Sequence, residues 1–311
     1  MSFETNPQVN PQGAASTVKR ERKSPRESGS KLGGSQLGSR ALLYLALTSW
    51  AVVTLIPLLW SIAASFTPAE EIFKNLTPFT WNALFPPNPT LKAYEELLSN
   101  PTFVRALGNT LFLCAATVVG GLLTNSLAGF AFAVFDFPMK RFLMTLVMVS
   151  FMVPFEVIVI PLYGIVTTLG LTNSFQALIL PTLANGAIIF MFRQFFLETP
   201  RDLLEAARID GLSWFGIYTR IVIPLSMPVM ISAGLSLFLI QWQSFFWPLL
   251  VANRPEYQVV QLALANMNTL YVYRWDLQLA GSVFTVAFPV ILLSFLQRYY
   301  IATVAGTGSK E

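Results

Sequence analysis

Six apolar stretches alternate with polar ones along most of the chain, near 41–66, 109–134, 142–168, 176–197, 226–250 and 279–303. Each is long enough to cross a hydrocarbon core, which takes about 20 helical residues. The pattern predicts an all-α polytopic membrane protein with six transmembrane helices. Trp60, Trp247, Tyr299 and Tyr300 fall towards the ends of these stretches, where aromatic rings favour the membrane–water interface.

One connection is not a plain loop. From Glu198 to Arg220 the chain carries Glu198, Arg201, Asp202, Glu205, Arg208, Asp210 and Arg220. Thr199, Pro200 and Asp202 read as a helix start: a hydroxyl for free N–H groups, a proline suited to the first turn, and a carboxylate at the positive dipole end. Glu205, Ala206, Ala207 and Arg208 continue that helix, and Gly211 can end it in a left-handed conformation. Ser213 offers a second cap before Trp214, Phe215, Ile217 and Tyr218, and Pro224 marks the approach to the next span. The expected object is a helix–turn–helix bracket over 198–224. Its small alanines let another surface approach closely, while Glu205 and Asp210 offer carboxylates for pairing. An amphipathic helix resting in the headgroups is the plainer alternative, although such helices favour Lys and Arg and this connection is slightly acidic.

Composition agrees with the pattern. Hydrophobic residues make up 54% of the 311 and charged ones 12%, against about 25% charged in soluble domains. The lone Cys114 allows no internal disulfide, and the absence of histidine removes Ser-His and Cys-His pairs and histidine metal sites. Basic residues set the orientation. Residues 1–40 hold seven, in a Ser-, Gly- and Pro-rich tail expected to be disordered. With that tail inside, fifteen Lys and Arg lie on the inner side and five on the outer. Both termini, 1–40 and 304–311, are therefore expected in the cytoplasm. The bracket joins them there, inside a 109–303 core, while 67–108 and 251–278 lie outside and are available to an external partner.

Polar residues near span midpoints suggest a hydrated path. Glu156 sits in the third stretch between Pro154 and Pro161, Asn185 in the fourth after Pro181, and Gln241 and Gln243 in the fifth. A mid-bilayer charge costs roughly 2.5–3.5 kcal/mol and so faces an interior or a partner. Asn, Gln and Thr equally often form interhelical hydrogen bonds and nothing more.

EAARIDG, then nine residues, then IVIP resembles the EAA motif, EAA-x3-G-x9-I-x-L-P, of binding-protein-dependent ABC importer permeases. The surrounding FRQFFLETPRDLLEAARIDGLSWFGIYTRIVIPLSMP, with VPFEVIVIPLYGIVTTLGLTNSFQALILP and QWQSFFWPLL, is similar to the carbohydrate branch. Within that branch the match is to its smaller permease, of the maltose and glycerol-phosphate type. The resemblance implies that Glu205, Ala206, Ala207, Asp210 and Gly211 dock a coupling helix on a cytoplasmic ATPase, with Ile221 and Pro224 closing the element. Position 223 is Ile where the family usually has Leu, and Trp242-Gln243-Ser244 stands where the family often has W-N-D or W-N-E.

The resemblance further implies a second permease subunit, two ATPase subunits that use ATP and Mg, an extracytoplasmic solute-binding protein, a sugar-like solute and a cytoplasmic-membrane location. No GxxxxGK[ST] loop occurs in the chain, so nucleotide chemistry is expected from the ATPases, with no cofactor bound here. A stand-alone channel or secondary carrier is the rival class; an intramembrane enzyme is a weaker one, because Glu156 is the one clear ionisable group within a span.

Overall fold

A computed structural model describes residues 33–267 and 273–308. Most of the expected basic tail, 1–32, and the last three residues lie outside the described residues, and beyond 296 only the backbone is described, so the Tyr299 and Tyr300 side chains fall outside too. Among the described residues the regular elements are helices, apart from a single bridge between Leu76 and Phe79. Residues 1–55 and 56–311 form separate compact units.

The helices run α1 Gly33–Ser65, α2 Lys92–Ser99, α3 Pro101–Val134, α4 Lys140–Met152, α5 Phe155–Thr168, α6 Phe175–Ile179 and α7 Gly186–Leu197. They continue as α8 Arg201–Ile209, α9 Trp214–Ile217, α10 Ile223–Leu225, α11 Met227–Trp242, α12 Phe246–Val251, α13 Val260–Ala265 and α14 Trp275–Gly308. Helix α1 begins at Gly33 rather than 41, so part of the expected disordered tail is helical. In the unit 1–55 its described side chains are exposed. Helix α14 continues to Gly308, past the expected boundary at 303. Helix α3 begins at Pro101 rather than 109, because the Asn100 side chain accepts from the Thr102 and Phe103 N–H groups and proline occupies the first turn.

Among the described residues three helices are long and apolar enough to cross a membrane: Leu42–Ser65, Pro101–Val134 and Trp275–Leu296. The other three stretches are broken. The third bends by 104° between α4 and α5, the fourth by 43° before α7, and the fifth by 83° between Leu225 and Met227. Each break has a local cause. Pro154 follows Val153, which adopts extended backbone; Asn185, also extended, caps α7; Ser226 precedes the Met227-Pro228 start of α11. The fifth helix also stops at Trp242, with α12 separate, instead of running to 250.

Helix α3 is the axis of the second unit. Its glycines allow close approach: a Cβ on Gly129 would lie 2.6 Å from Phe192 Cβ and 3.0 Å from the Arg193 nitrogen of α7. One core at the Val134 end of α3 joins Phe130, Phe192, Phe196, Leu204, Ile217 and Val229. At the other end Leu97, Phe103, Val260, Leu264 and Ala280 join α2, α3, α13 and α14.

Candidate functional site

The bracket forms where the charge pattern places it. Helix α8 carries Asp202 in its first turn and Arg208 in its last, matching the helix dipole. The expected Thr199 cap is not made: Pro200 takes the cap position with no side-chain bond. The Thr199 N–H donates to Phe196 O at 3.2 Å and so finishes α7 instead. The other end follows expectation closely. Gly211 has φ +84°, Leu212 N–H donates to Ala207 O at 3.0 Å, and Gly211 N–H donates to Arg208 O at 3.1 Å. These two bonds close α8 in a Schellman turn that a side chain at 211 would strain. Ser213 Oγ then accepts from Gly216 N at 3.1 Å and caps α9. Arg208 staples the turn, donating to Leu212 O at 2.8 Å while its guanidinium lies 5.1 Å from the Trp214 ring centre. Sequence reasoning gave Arg208 no such part.

The two faces of α8 do different work. Leu204 and Ala207 are buried in the core shared with α3, α7 and α11. Burying a leucine stabilises by about 1.5–3 kcal/mol, enough to hold a nine-residue helix on this surface. Glu205, Ala206 and Asp210 are exposed on the other side. Ala207, expected on the outer surface, is therefore buried beneath the exposed face of α8. Ile209, which the sequence reading did not single out, is 86% exposed, and Phe215 on α9 is 69% exposed. Ile209 thus stands bare on the helix that carries Asp202 and Glu205.

Aromatic contacts fasten this bracket to α3. The Phe130 ring meets Phe196 at 6.2 Å and Tyr218 at 5.4 Å, and Phe135 meets Trp214 edge-on at 5.0 Å. Between these contacts lies a cleft of about 140 Å³ whose lining includes Val134, Phe196, Arg201, Leu204, Glu205 and Trp214. After α9 the chain opens into a π-helical turn, Tyr218–Val222, of the kind that often accompanies functional sites. Ile221 is half-buried against the core and Pro224 is exposed in α10, so both belong to the return segment rather than the exposed face.

The pathway candidates separate into two pairs. Glu156 is exposed in the first turn of α5, directly after the 104° bend. Gln243 is exposed at the end of α11. Asn185 instead caps α7, accepting from Ala187 and Ile188 N–H at 3.1 and 3.2 Å. Gln241 is 2% exposed and its Oε1 is buried without a partner. Trp242 packs internally, stacked 4.8 Å from Phe288 with its N–H donated to Thr285 O at 3.1 Å. The buried Asn125 is tied to the fourth-stretch break: its Nδ2 donates to Gly121 O at 2.6 Å and to Leu183 O at 2.9 Å.

Membrane-length helices, broken spans and a charged bracket fastened to their shared core describe a polytopic membrane protein. Residues 125–303 match the family of binding-protein-dependent transport system inner membrane components, and the chain belongs to that family as a transport subunit. It is 34% identical over 270 residues to the arabinooligosaccharides transport system permease protein AraQ of Halalkalibacterium halodurans, covering 86% of this chain and 96% of that protein. It is 28% identical over 278 residues to the sn-glycerol-3-phosphate transport system permease protein UgpE of Rhizobium meliloti, covering 86% and 97%. Its fold is similar to a crystal structure of a bacterial ABC transporter involved in import of the acidic polysaccharide alginate, with TM-score 0.77 and 20% identity over 86% of this chain and 98% of the other.

Proposed function

We propose that the chain forms half of the translocation pathway of an ATP-driven importer for a carbohydrate or sugar-like solute, and that its bracket receives the force of ATP-driven closure. The observation that carries this reading is the two-sided α8. Leu204 and Ala207 bind it to the core of the spans, while Glu205, Ala206, Ile209 and Asp210 face outward. A push on the outer face is delivered through Phe130 and Tyr218 to α3, and through the return segment to the 83° bend before α11. A helix held by such contacts moves as a lever rather than as a loop. The carbohydrate class is supported by what the relatives' names describe: arabinooligosaccharides and a glycerol phosphate.

In this reading each bent pair is one crossing, giving six, with both termini and the bracket in the cytoplasm of a cell whose cytoplasmic membrane holds the complex. The preponderance of Lys and Arg on that side supports the orientation. The partners are a second permease, two ATPase subunits supplying ATP and Mg chemistry, and an external binding protein, the last being part of the family's description. Glu156 and Gln243, both exposed beside helix ends, line the solute path. Asn185 and Gln241 shape it from behind, through a helix cap and a buried amide.

The test is ATP hydrolysis and solute uptake in the reconstituted complex carrying Glu205→Lys. Hydrolysis without proportionate uptake, in a normally inserted and assembled complex, is the expected result. Full coupling in that variant refutes the lever.

A further inference from the structure

The segment after α1 is uncharged from Asn75 to Leu91 yet holds several large, exposed apolar side chains. Phe79 is 58% exposed, Trp81 71% and Phe85 71%. A water-facing loop has no use for such a tip, and the geometry indicates what covers it.

The loop is closed at its base and fixed to the end of α1. Thr90 N–H donates to Phe66 O at 2.8 Å, so residues 66 and 90 meet. The Ser65 and Tyr94 hydroxyls lie 2.7 Å apart, and the Phe66 and Tyr94 rings are 5.2 Å apart. From this base the chain folds back beside the helix it has just left. Phe73 lies 6.3 Å from Trp60, five positions before the end of α1, and 5.5 Å edge-on from Trp275, the first residue of α14. Five helical positions correspond to about 7.5 Å of rise. The aromatic group Trp60, Phe73, Tyr273 and Trp275 thus sits level with the last turns of one membrane-length helix and the first turn of another. The exposed apolar flank of α1 at Leu58, Leu59 and Ile62 runs into this group. The exposed apolar flank of this membrane-length helix thus meets the loop at Phe73.

We propose that loop 66–90 is an interfacial anchor, its tip residues Phe79, Trp81 and Phe85 resting in the headgroup layer of the leaflet at the Ser65 end of α1. On the orientation proposed above, this is the outer leaflet. An uncharged stretch with tryptophan and phenylalanine suits that layer: the indole N–H stays hydrated while the phenylalanine rings supply apolar area to the acyl boundary. The anchor also carries polar structure towards water. Arg274 holds Glu96 of α2 through two bonds of 2.8 and 2.7 Å and reaches Asp276 at 2.9 Å. A polar pocket of about 430 Å³, lined in part by Glu70, Lys92, Glu96 and Arg274, opens beside this clamp. The loop thereby sets the height at which this polar face stands above the bilayer.

The test uses nitroxide labels on Asn82→Cys and Asn88→Cys, which flank the tip and spare its rings, in the complex reconstituted into phosphatidylethanolamine–phosphatidylglycerol vesicles. Cys114 is buried, and the parent chain serves as the labelling blank; Glu95→Cys on α2 is the aqueous reference. Collision with oxygen should exceed collision with a water-soluble nickel chelate at 82 and 88, and the reverse should hold at 95, with or without the binding protein. Nickel-dominated collision at 82 and 88 overturns the proposal. So does shielding from both reagents, which means that a protein covers the tip: the binding protein if shielding needs its addition, another subunit if not. Solute uptake by the same vesicles reports separately on the transport reading.

Discussion

The hydroxyls of Ser126 on α3 and Tyr218 in the bracket meet at 2.7 Å, across 92 residues of chain. Both residues are buried, and Ser126 is wholly so. This bond lies within the surface through which the bracket grips the spans, with the Phe130 ring tilted against Tyr218 at 5.4 Å. Tyr218→Phe keeps the ring contact and removes the bond. An interhelical bond of this kind contributes about 0.5–1.5 kcal/mol, so a modest fall in the melting temperature of the purified complex is expected, together with reduced uptake per ATP. Unchanged stability and coupling would show that the bond is idle.

The two faces of α8 separate assembly from folding. Ile209→Glu places a charge on a residue that is 86% exposed, so the chain should insert and fold normally but retain little ATPase on copurification. Ala207→Trp forces a large ring into a site that is 5% exposed, and the chain itself should be destabilised by about 1–3 kcal/mol, read as a lower melting temperature.

Gly211→Ala tests the turn. At φ +84° an L-residue costs about 1–2 kcal/mol. The open space around that position means that strain, not a clash, is responsible. Fraying of α8 should appear as faster amide exchange over 207–212, alongside weaker coupling.

Asn125 holds the fourth-stretch break together, accepting from Asn185 N–H at 2.8 Å while donating to Leu183 O. Asn125→Leu removes the partner of two part-buried groups, at up to about 1–3 kcal/mol each. Thermal unfolding should show a larger loss than for Thr124→Ala, whose hydroxyl is exposed and bonds within its own helix.

The Glu96–Arg274 clamp gives a pH dependence with a defined sign. Hydrogen bonding to Arg274 holds the Glu96 carboxyl below its ordinary value of 4.5. Its contribution is therefore complete above that value and is lost as pH falls through the depressed one. The protection factors of the α2 amides, corrected for the intrinsic pH dependence of exchange, should be flat from neutral pH to about 5 and fall only in stronger acid, and Arg274→Gln should remove the transition.

The six apolar stretches, the bracket and both of its glycine and serine signals were legible because each depends on neighbours in the chain: period, caps and a left-handed turn. The division of α8 was legible in principle too. Asp202, Glu205, Ala206 and Ile209 share one side of a helical wheel, and Leu204 and Ala207 share another. The motif grouped Ala207 with the exposed residues because motif position carries no information about which side is buried. The bends at 153–154, 182–186 and 226–227 were marked by Pro and Asn, but local pattern does not give their angles of 104°, 43° and 83°. Asn125, Ser126 and Tyr218 find partners about 60 or more residues away, beyond what local pattern can reveal. Asn185 looked like a pathway residue because a polar residue in an apolar run carries the same signal whether it caps a helix or meets a solute.

The most direct measurement places a photo-activated cross-linker at position 209 of the chain in the assembled, membrane-embedded complex. Capture of an ATPase subunit, with yield changing on addition of ATP, is the expected result. Capture of lipid alone, with the ATPases present and hydrolysing, would contradict the claim that force enters through this bracket.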